Sequence, residues 1–359
     1  MGDRQKIKGT SNSTIIQVEG DLIQQGLSAD EVRTICREVI ADEISRHSEL
    51  GKKECEDRFN TIVEKILDKL TSLENDLSHR FEDPGVQMST YDLIKSYIRV
   101  GDESLGDEMV DMLMDRLKET GRTVNSAVID EAIQILPKLS EQAVSFLALK
   151  VFSVVIVPGD RKLLQSYFEG LKNDVESASN VSKLDIAYLK QVGCCSGTQG
   201  IVSSRSLGSH LLDSYDLYFR HAISLDELTA SINRQEKAID DQDKMTSLRF
   251  ILSMLDSNVE GVNRFRLSAT KHLDLNIQAY KMEKCRSVFE EIKASMNMYT
   301  EEELREELSS ITPAWRVLLD RYAQSDVTSL QLTPVGYYIG RKRLGKIIPM
   351  DIELDFFYQ

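Results

Sequence analysis

Phe59, Val63, Ile66, Leu70, Leu73 and Leu77 recur at alternating four- and three-residue steps. That is a heptad seam, and only an α-helix turns such a set to one side. A chain carrying it must cover the stripe with other helices or with copies of itself. Ile62 and Leu67 widen the stripe beyond a two-stranded seam. The broad face suits a bundle of three or more helices, or packing on the chain's own body. Upstream, Ser28 and Glu31 form a capping box, with Leu27 and Val32 at the two positions of a hydrophobic staple. A helix is therefore expected from Ala29, with Val32, Ile35, Val39, Ile40 and Ile44 as its apolar stripe. Gly51, Lys52 and Lys53 mark an expected break or kink before the seam.

Ahead of this helix, Ser13-Thr-Ile-Ile-Gln-Val18 is β-prone and is closed by Glu19-Gly20-Asp21. A single short strand leaves its backbone groups unpaired. Few other strands are visible nearby, so pairing between chains is the favoured expectation. Ile15, Ile16 and Val18, with Phe59, Val63, Ile66, Leu70, Leu73 and Leu77, form the expected oligomerisation set.

The rest of the chain reads mainly as helix, in keeping with only six prolines among 359 residues. Asp83-Pro84-Gly85 is taken as a boundary. Helical patterns follow over Tyr91 to Val100, Leu105 to Lys118, Val124 to Leu136, Glu141 to Val157 and Leu163 to Leu171, with short joints that imply antiparallel neighbours. Val192 to Gly200 has three glycines and reads as an interior loop. Helices are expected to resume near Leu207 and to continue, with a pause near Ala222, to Met298. Thr300 and Glu303 form a second capping box, and another helix carries Trp315, Leu318, Leu319 and Tyr322. Leu330 to Gly336 is extended and turn-like, followed by a short helix to about Leu344. Met350 to Phe357 alternates apolar and acidic residues, as a strand with one buried face does. The expected architecture is mainly α: a β leader with a kinked, coiled-coil-like helix in 1–83, a helical-bundle body in 84–298, and a small α+β region in 299–359. The strip from Trp315 through Gly336 resembles the end of a winged helix.

Charge and composition narrow the chemistry. A formal net charge of −14 disfavours binding of nucleic acid over a broad face. Arg341, Lys342, Arg343 and Lys346 form a local basic patch, either a solvated helix end or a contact for an anionic partner. Cys36, Cys55, Cys194, Cys195 and Cys285 are odd in number and lack zinc spacing, as expected of reduced thiols in a cytoplasm. The N-terminus is polar, with no secretory leader. The longest apolar run, Ala143 to Val157, includes Lys150 and falls short of the roughly 20 residues needed to span a bilayer. Five scattered histidines give no metalloprotease spacing, and neither a phosphate-binding loop nor a serine-hydrolase elbow is present. Asp240, Asp241 and Asp243 lack the glycine and distal glutamate of a calcium loop. No metal and no cofactor is expected. The Cys194–Cys195 loop is the best candidate for reactivity, with His210 or His221 as its base.

Ser13 to Leu22, followed by Gly26-Leu-Ser-x-x-Glu-Val-Arg-x-Ile35, resembles the leader of bacterial proteins associated with conflict and anti-phage loci. Gly101-Asp-Glu-Ser-Leu-Gly-Asp107 with Val110, Leu113 and Leu117, and Leu332-Thr-x-x-Gly336, are similar to one largely uncharacterised family within that class. The resemblance implies bacterial origin and a sensor or scaffold role in phage defence, and it supplies no catalytic residues. The expectation is a non-enzymatic homo-oligomer that contacts a phage component or a neighbouring defence protein. The alternatives are an enzyme with its site near Gly193–Gly200, and a nucleic-acid or membrane-surface binder acting through the basic patch.

Overall fold

The Glu31 carboxylate closes the first helix: its Oε2 accepts from both the N–H and the hydroxyl of Ser28 at 2.8 Å, and the Glu31 N–H donates back to Ser28 Oγ at 3.3 Å. The computed structural model describes residues 17–18, 21–22, 27–45, 49–73, 75–155, 161–197, 206–216, 218–234, 255–257, 263–267, 287–323 and 330–348, together with residues 249, 252 and 327. It comprises two units, Met1–Lys138 and Leu139–Gln359.

In the first unit α1 (Ala29–Ser45) buries Val32, Cys36 and Ile40 at four-residue spacing, and α2 (Glu49–Thr71) follows. Gly51, Lys52 and Lys53 lie inside α2 rather than at a break. Gly51 sits in the first turn of α2, where a glycine costs at most about 1 kcal/mol, and the burial of the following turns outweighs it. Phe59, Ile62, Val63 and Ile66 have no exposed surface, because α2 packs against α1, α3 (Pro84–Val100) and α4 (Glu103–Lys118) of its own unit. The seam is internal, and it is shorter than its spacing suggested. α2 ends at Thr71, so Leu73 and Leu77 lie beyond it, and Leu70, Leu73 and Leu77 are half-buried.

Asp83-Pro84-Gly85, read as a boundary, starts α3. The Asp83 side chain caps the helix by accepting from the Gly85 N–H, and Pro84 takes the first helical position, where its missing N–H costs nothing. Gly101 ends α3 at φ +70°, and Asp102 at once caps α4 by accepting from the Leu105 N–H. Gly106 lies so close to Tyr97 that a Cβ would stand 2.6 Å from its ring. Asp107 pairs with Lys65 of α2. At the far end of α4, Arg80 donates to the carbonyls of Leu117 and Glu119, and buried Arg116 pairs with Asp130 of α5 (Val124–Ile135) at 2.8 Å. In the leader, Gln17–Val18 (β1) pairs antiparallel with Asp21–Leu22 (β2) in the same chain. Ile15 and Ile16 lie outside the described residues.

The second unit is organised by α6 (Glu141–Val155). It is apolar on every side, and Phe146, Leu147, Ala148, Leu149, Val151 and Phe152 are buried. Burial of such side chains contributes roughly 1.5–3 kcal/mol each, which is why this run is a core helix. α7 (Arg161–Gly170), α8 (Lys172–Ala178), α9 (Lys183–Gln191) and α10 (Leu207–Ser214) follow, and α8 packs on α6. Aromatic rings extend the core: Phe168 meets Trp315 edge-on at 5.4 Å and Phe152 at 5.6 Å.

The helix expected to run to Met298 is interrupted. Ile223–Ser224 (β4), Leu255–Ser257 (β5) and Arg264–Leu267 (β6) form a sheet in the order β4-β6-β5, with α11 (Leu225–Arg234) between β4 and β5 in sequence. The intervening sequence holds Gly261 and Asn263, residues that favour turns, and Asn263 has φ +58°. Helix α12 over 287–295 buries Val288 and Ile292. The Thr300–Glu303 capping box then opens α13 (Glu301–Ser309), and α14 (Ala314–Tyr322) follows. Leu330–Leu332 (β7) pairs antiparallel not with a neighbouring wing but with Cys195–Gly197 (β3), from the segment read as a loop. α15 (Pro334–Gly345) closes the unit against α6, where a Cβ on Gly340 would lie 2.6 Å from the Leu147 carbonyl oxygen. The strand expected over Met350 to Phe357 lies outside the described residues. Among the described residues no helix is long and apolar enough to cross a membrane.

Candidate functional site

The cysteine loop is joined to a sequence feature about 140 residues away. α9 ends at Gln191, Gly193 turns the chain at φ +79°, and the Cys194 carbonyl accepts from the Thr333 N–H at 3.1 Å. The Thr333 hydroxyl donates to the Gly193 carbonyl at 2.5 Å and accepts from the Gly336 N–H at 3.2 Å, so one side chain both ties the strands and caps α15. Cys194 and Cys195 are 0% and 3% exposed. Burial pushes the Cys195 thiol up to about 11, against the opposing pull of Lys150 and Lys190, while burial depresses the Lys150 ammonium. A reactive cysteine needs the reverse, a depressed pKa and access.

Both proposed bases have partners elsewhere among the described residues. His210 donates its Nε2 proton to the Ser153 carbonyl at 2.5 Å, and His221 lies 3.2 Å from the Glu303 carboxylate with its ring 4.6 Å from that of Tyr299. No group of three metal-ligating side chains occurs among the described residues. Asp240, Asp241 and Asp243 lie outside them.

The basic patch is divided. Arg343 turns inward, donating its Nε proton to buried Asp174 at 2.9 Å and pairing with Glu141, and Asp174 also accepts from Ser145 at 2.8 Å. Lys342 lies over the Tyr338 ring at 5.8 Å. Arg341 is half-buried and Lys346 exposed. α15 is thus anchored to the core through one of the four cations that were to meet a partner.

A cleft that no local pattern announced opens on the first unit. Its volume is about 710 Å³, and it lies between the first turns of α2, the last turns of α3 and the end of α5. Cys55 and Ile98 supply its apolar floor. Arg58, Lys95, Arg99 and Lys138 line it, with Glu54 and Asp92 as the only carboxylates among the lining residues. Both carboxylates are engaged, Glu54 with Arg58 and Asp92 with the Gln134 amide at 2.8 Å. Arg58 also donates to the Ile98 carbonyl at 2.6 Å, closing the end of α3. Arg99 and Lys138 are exposed, and neither has an ion-pair or hydrogen-bond partner among the described residues. The cleft draws on three helices, so its only signal in sequence is a scatter of cations with no common period. A smaller apolar groove of about 360 Å³ is lined by Leu27, Val32, Leu67, Leu70 and Leu73, which is where the outer end of the seam reaches the surface.

A family model carrying no functional description matches residues 26–358. No curated protein and no solved structure matches the chain.

Proposed function

Because the chain belongs to the uncharacterised family whose model covers residues 26–358, and so shares its fold nearly end to end with that family, we propose that it is a non-enzymatic sensor or adaptor that recognises a partner through the cleft on its first unit. One observation carries this reading. The cleft is within the size range of ligand sites and presents two cations, Arg99 and Lys138, that have no partner among the described residues, whereas the thiols that would support catalysis are buried at the β3–β7 pairing. The setting proposed is bacterial anti-phage defence, which rests on the resemblance of the leader and of the Gly101–Asp107 and Leu332–Gly336 patterns. Self-association belongs to the proposal through the leader and the Leu27, Leu70 and Leu73 rim, because the central seam residues are already covered.

The test is expression in bacteria challenged with phages. Cells carrying the full chain should be protected, Arg99→Glu with Lys138→Glu should abolish protection while the circular dichroism spectrum is unchanged, and Cys194→Ala with Cys195→Ala should keep it. The opposite pattern, protection lost with the cysteines and kept without the cations, would favour an enzyme at the Gly193–Gly200 segment. Absence of protection by the unaltered chain would remove the defence setting.

A further inference from the structure

The chemistry of the cleft on the first unit selects among anionic partners. Its cations come from three different elements: Lys95 and Arg99 from α3, Lys138 from the turn past the end of α5, and Arg58 from α2, where it is held by Glu54 and the Ile98 carbonyl. α2 begins and α3 ends at the cleft, so the positive end of one helix dipole lies beside the negative end of the other and their fields oppose. A compact phosphate prefers an uncompensated helix N-terminus, and at this cleft the start of α2 is opposed by the end of α3. Carboxylates spaced along an extended chain fit separated side-chain cations, with small apolar residues between them against Cys55 and Ile98.

We propose that this cleft seats an acidic peptide segment of a protein partner, whose carboxylates pair with Arg99 and Lys138. The inference rests on the adaptor reading above and adds the chemical class of the partner. With a net charge of −14, the rest of the surface repels such a segment, so attraction is confined to short range at the basic cleft.

The test uses the full chain and fluorescence anisotropy of a labelled peptide of about ten residues that alternates Glu with Leu or Ala. A control peptide carries Gln for every Glu. The Glu peptide should saturate below about 1 mM, a weak affinity typical of a small contact, and should weaken as salt is raised. Arg99→Glu with Lys138→Glu should weaken it at least about tenfold, and Arg99→Gln with Lys138→Gln by a smaller factor, with melting temperatures unchanged. Equal binding of the Gln peptide, equal binding by the charge-reversed chain, or no saturation would each overturn the proposal. So would displacement of the peptide by ATP or pyrophosphate at tenfold lower concentration than by unlabelled peptide, which would assign the cleft to phosphorylated small molecules. If the cells of the phage experiment depend on Arg99 and Lys138 and the Glu peptide still fails to bind, the acidic-peptide inference falls while the adaptor reading stands.

Discussion

A Cβ built on Gly336 would lie 1.9 Å from the carbonyl oxygen of Cys194. No side chain fits that gap, and the obstacle is backbone held by the Thr333 N–H and by the β3–β7 pairing. Gly336→Ala must therefore push α15 away from the cysteine segment. Overpacking of this kind costs about 3 kcal/mol or more. In a unit of this size that lowers the melting temperature by on the order of 6–12 °C. Differential scanning calorimetry of the full chain checks it, and an unchanged transition would mean that the two segments are not in contact in solution.

The buried Asp174 carboxylate, 2% exposed, accepts from Arg343 and Ser145. Replacing it with Ala strands a guanidinium at the α6–α15 contact. Breaking one side of a buried pair typically costs several kcal/mol, and the remaining Glu141 contact and partial exposure of Arg343 moderate that here. Asp174→Ala should cost on the order of 3 kcal/mol by urea denaturation. The double variant with Arg343→Ala should cost less than the sum of the single variants. Additive losses would show that the two residues do not interact.

How far the sequence discloses this fold depends on whether the signal is local. Both capping boxes, Ser28–Glu31 and Thr300–Glu303, are four-residue patterns, and both form. The largely apolar run Ala143 to Val157 reads correctly as a core helix over its described part, since no surface helix can carry it. The two patterns that carry the family resemblance prove to be backbone requirements. Gly101 needs φ +70° and Gly106 lies under Tyr97, while Thr333 and Gly336 permit the close approach to Cys194. What stays hidden is pairing at a distance. Cys195–Gly197 reads as a loop because its partner strand is about 135 residues away. The charges of Arg343 and Asp174 are neutralised 169 residues apart, and nothing in an isolated basic run shows that one of its cations points inward. The cleft is assembled from three helices in the same way.

The buried thiols set an alkaline limit. Burial pushes Cys195 to about 11 and Cys36 to about 12, in each case from an ordinary value near 9. A folded-state pKa above the unfolded one means that the stabilisation is fully present below about pH 9. It is lost as pH rises through the folded values, because the unfolded chain releases those protons first. The thiols' contribution to stability should therefore be flat from about pH 7 to 8 and should fall by on the order of 3–4 kcal/mol per thiol between about pH 8 and 12. At pH 8 only about one Cys195 in a thousand is thiolate, so alkylation by iodoacetamide in the folded chain should be far slower than in denaturant. Rapid labelling of Cys194 or Cys195 in the native protein, located by mass spectrometry, would contradict the sealed site and restore the enzyme alternative.

The seam divides into an inner part and an outer part, and truncation should separate them. Ile66 is fully buried in α2 among side chains of its own unit, whereas Leu73 lies past the helix end and is half-buried at the rim of the smaller groove. Ile66→Ala removes methyl and methylene groups and leaves a cavity that the bundle fills only in part, at about 2–5 kcal/mol. Leu73→Ala loses roughly half of a leucine's transfer free energy, about 1 kcal/mol. If the inner residues serve only the fold, Ile66→Ala should lower the melting temperature and leave the native mass by light scattering unchanged. Should copies associate over the outer rim, Leu73→Ala should lower that mass with little effect on melting. A chain whose mass falls with Ile66→Ala while Leu73→Ala leaves it intact would return the central seam to the interface between copies.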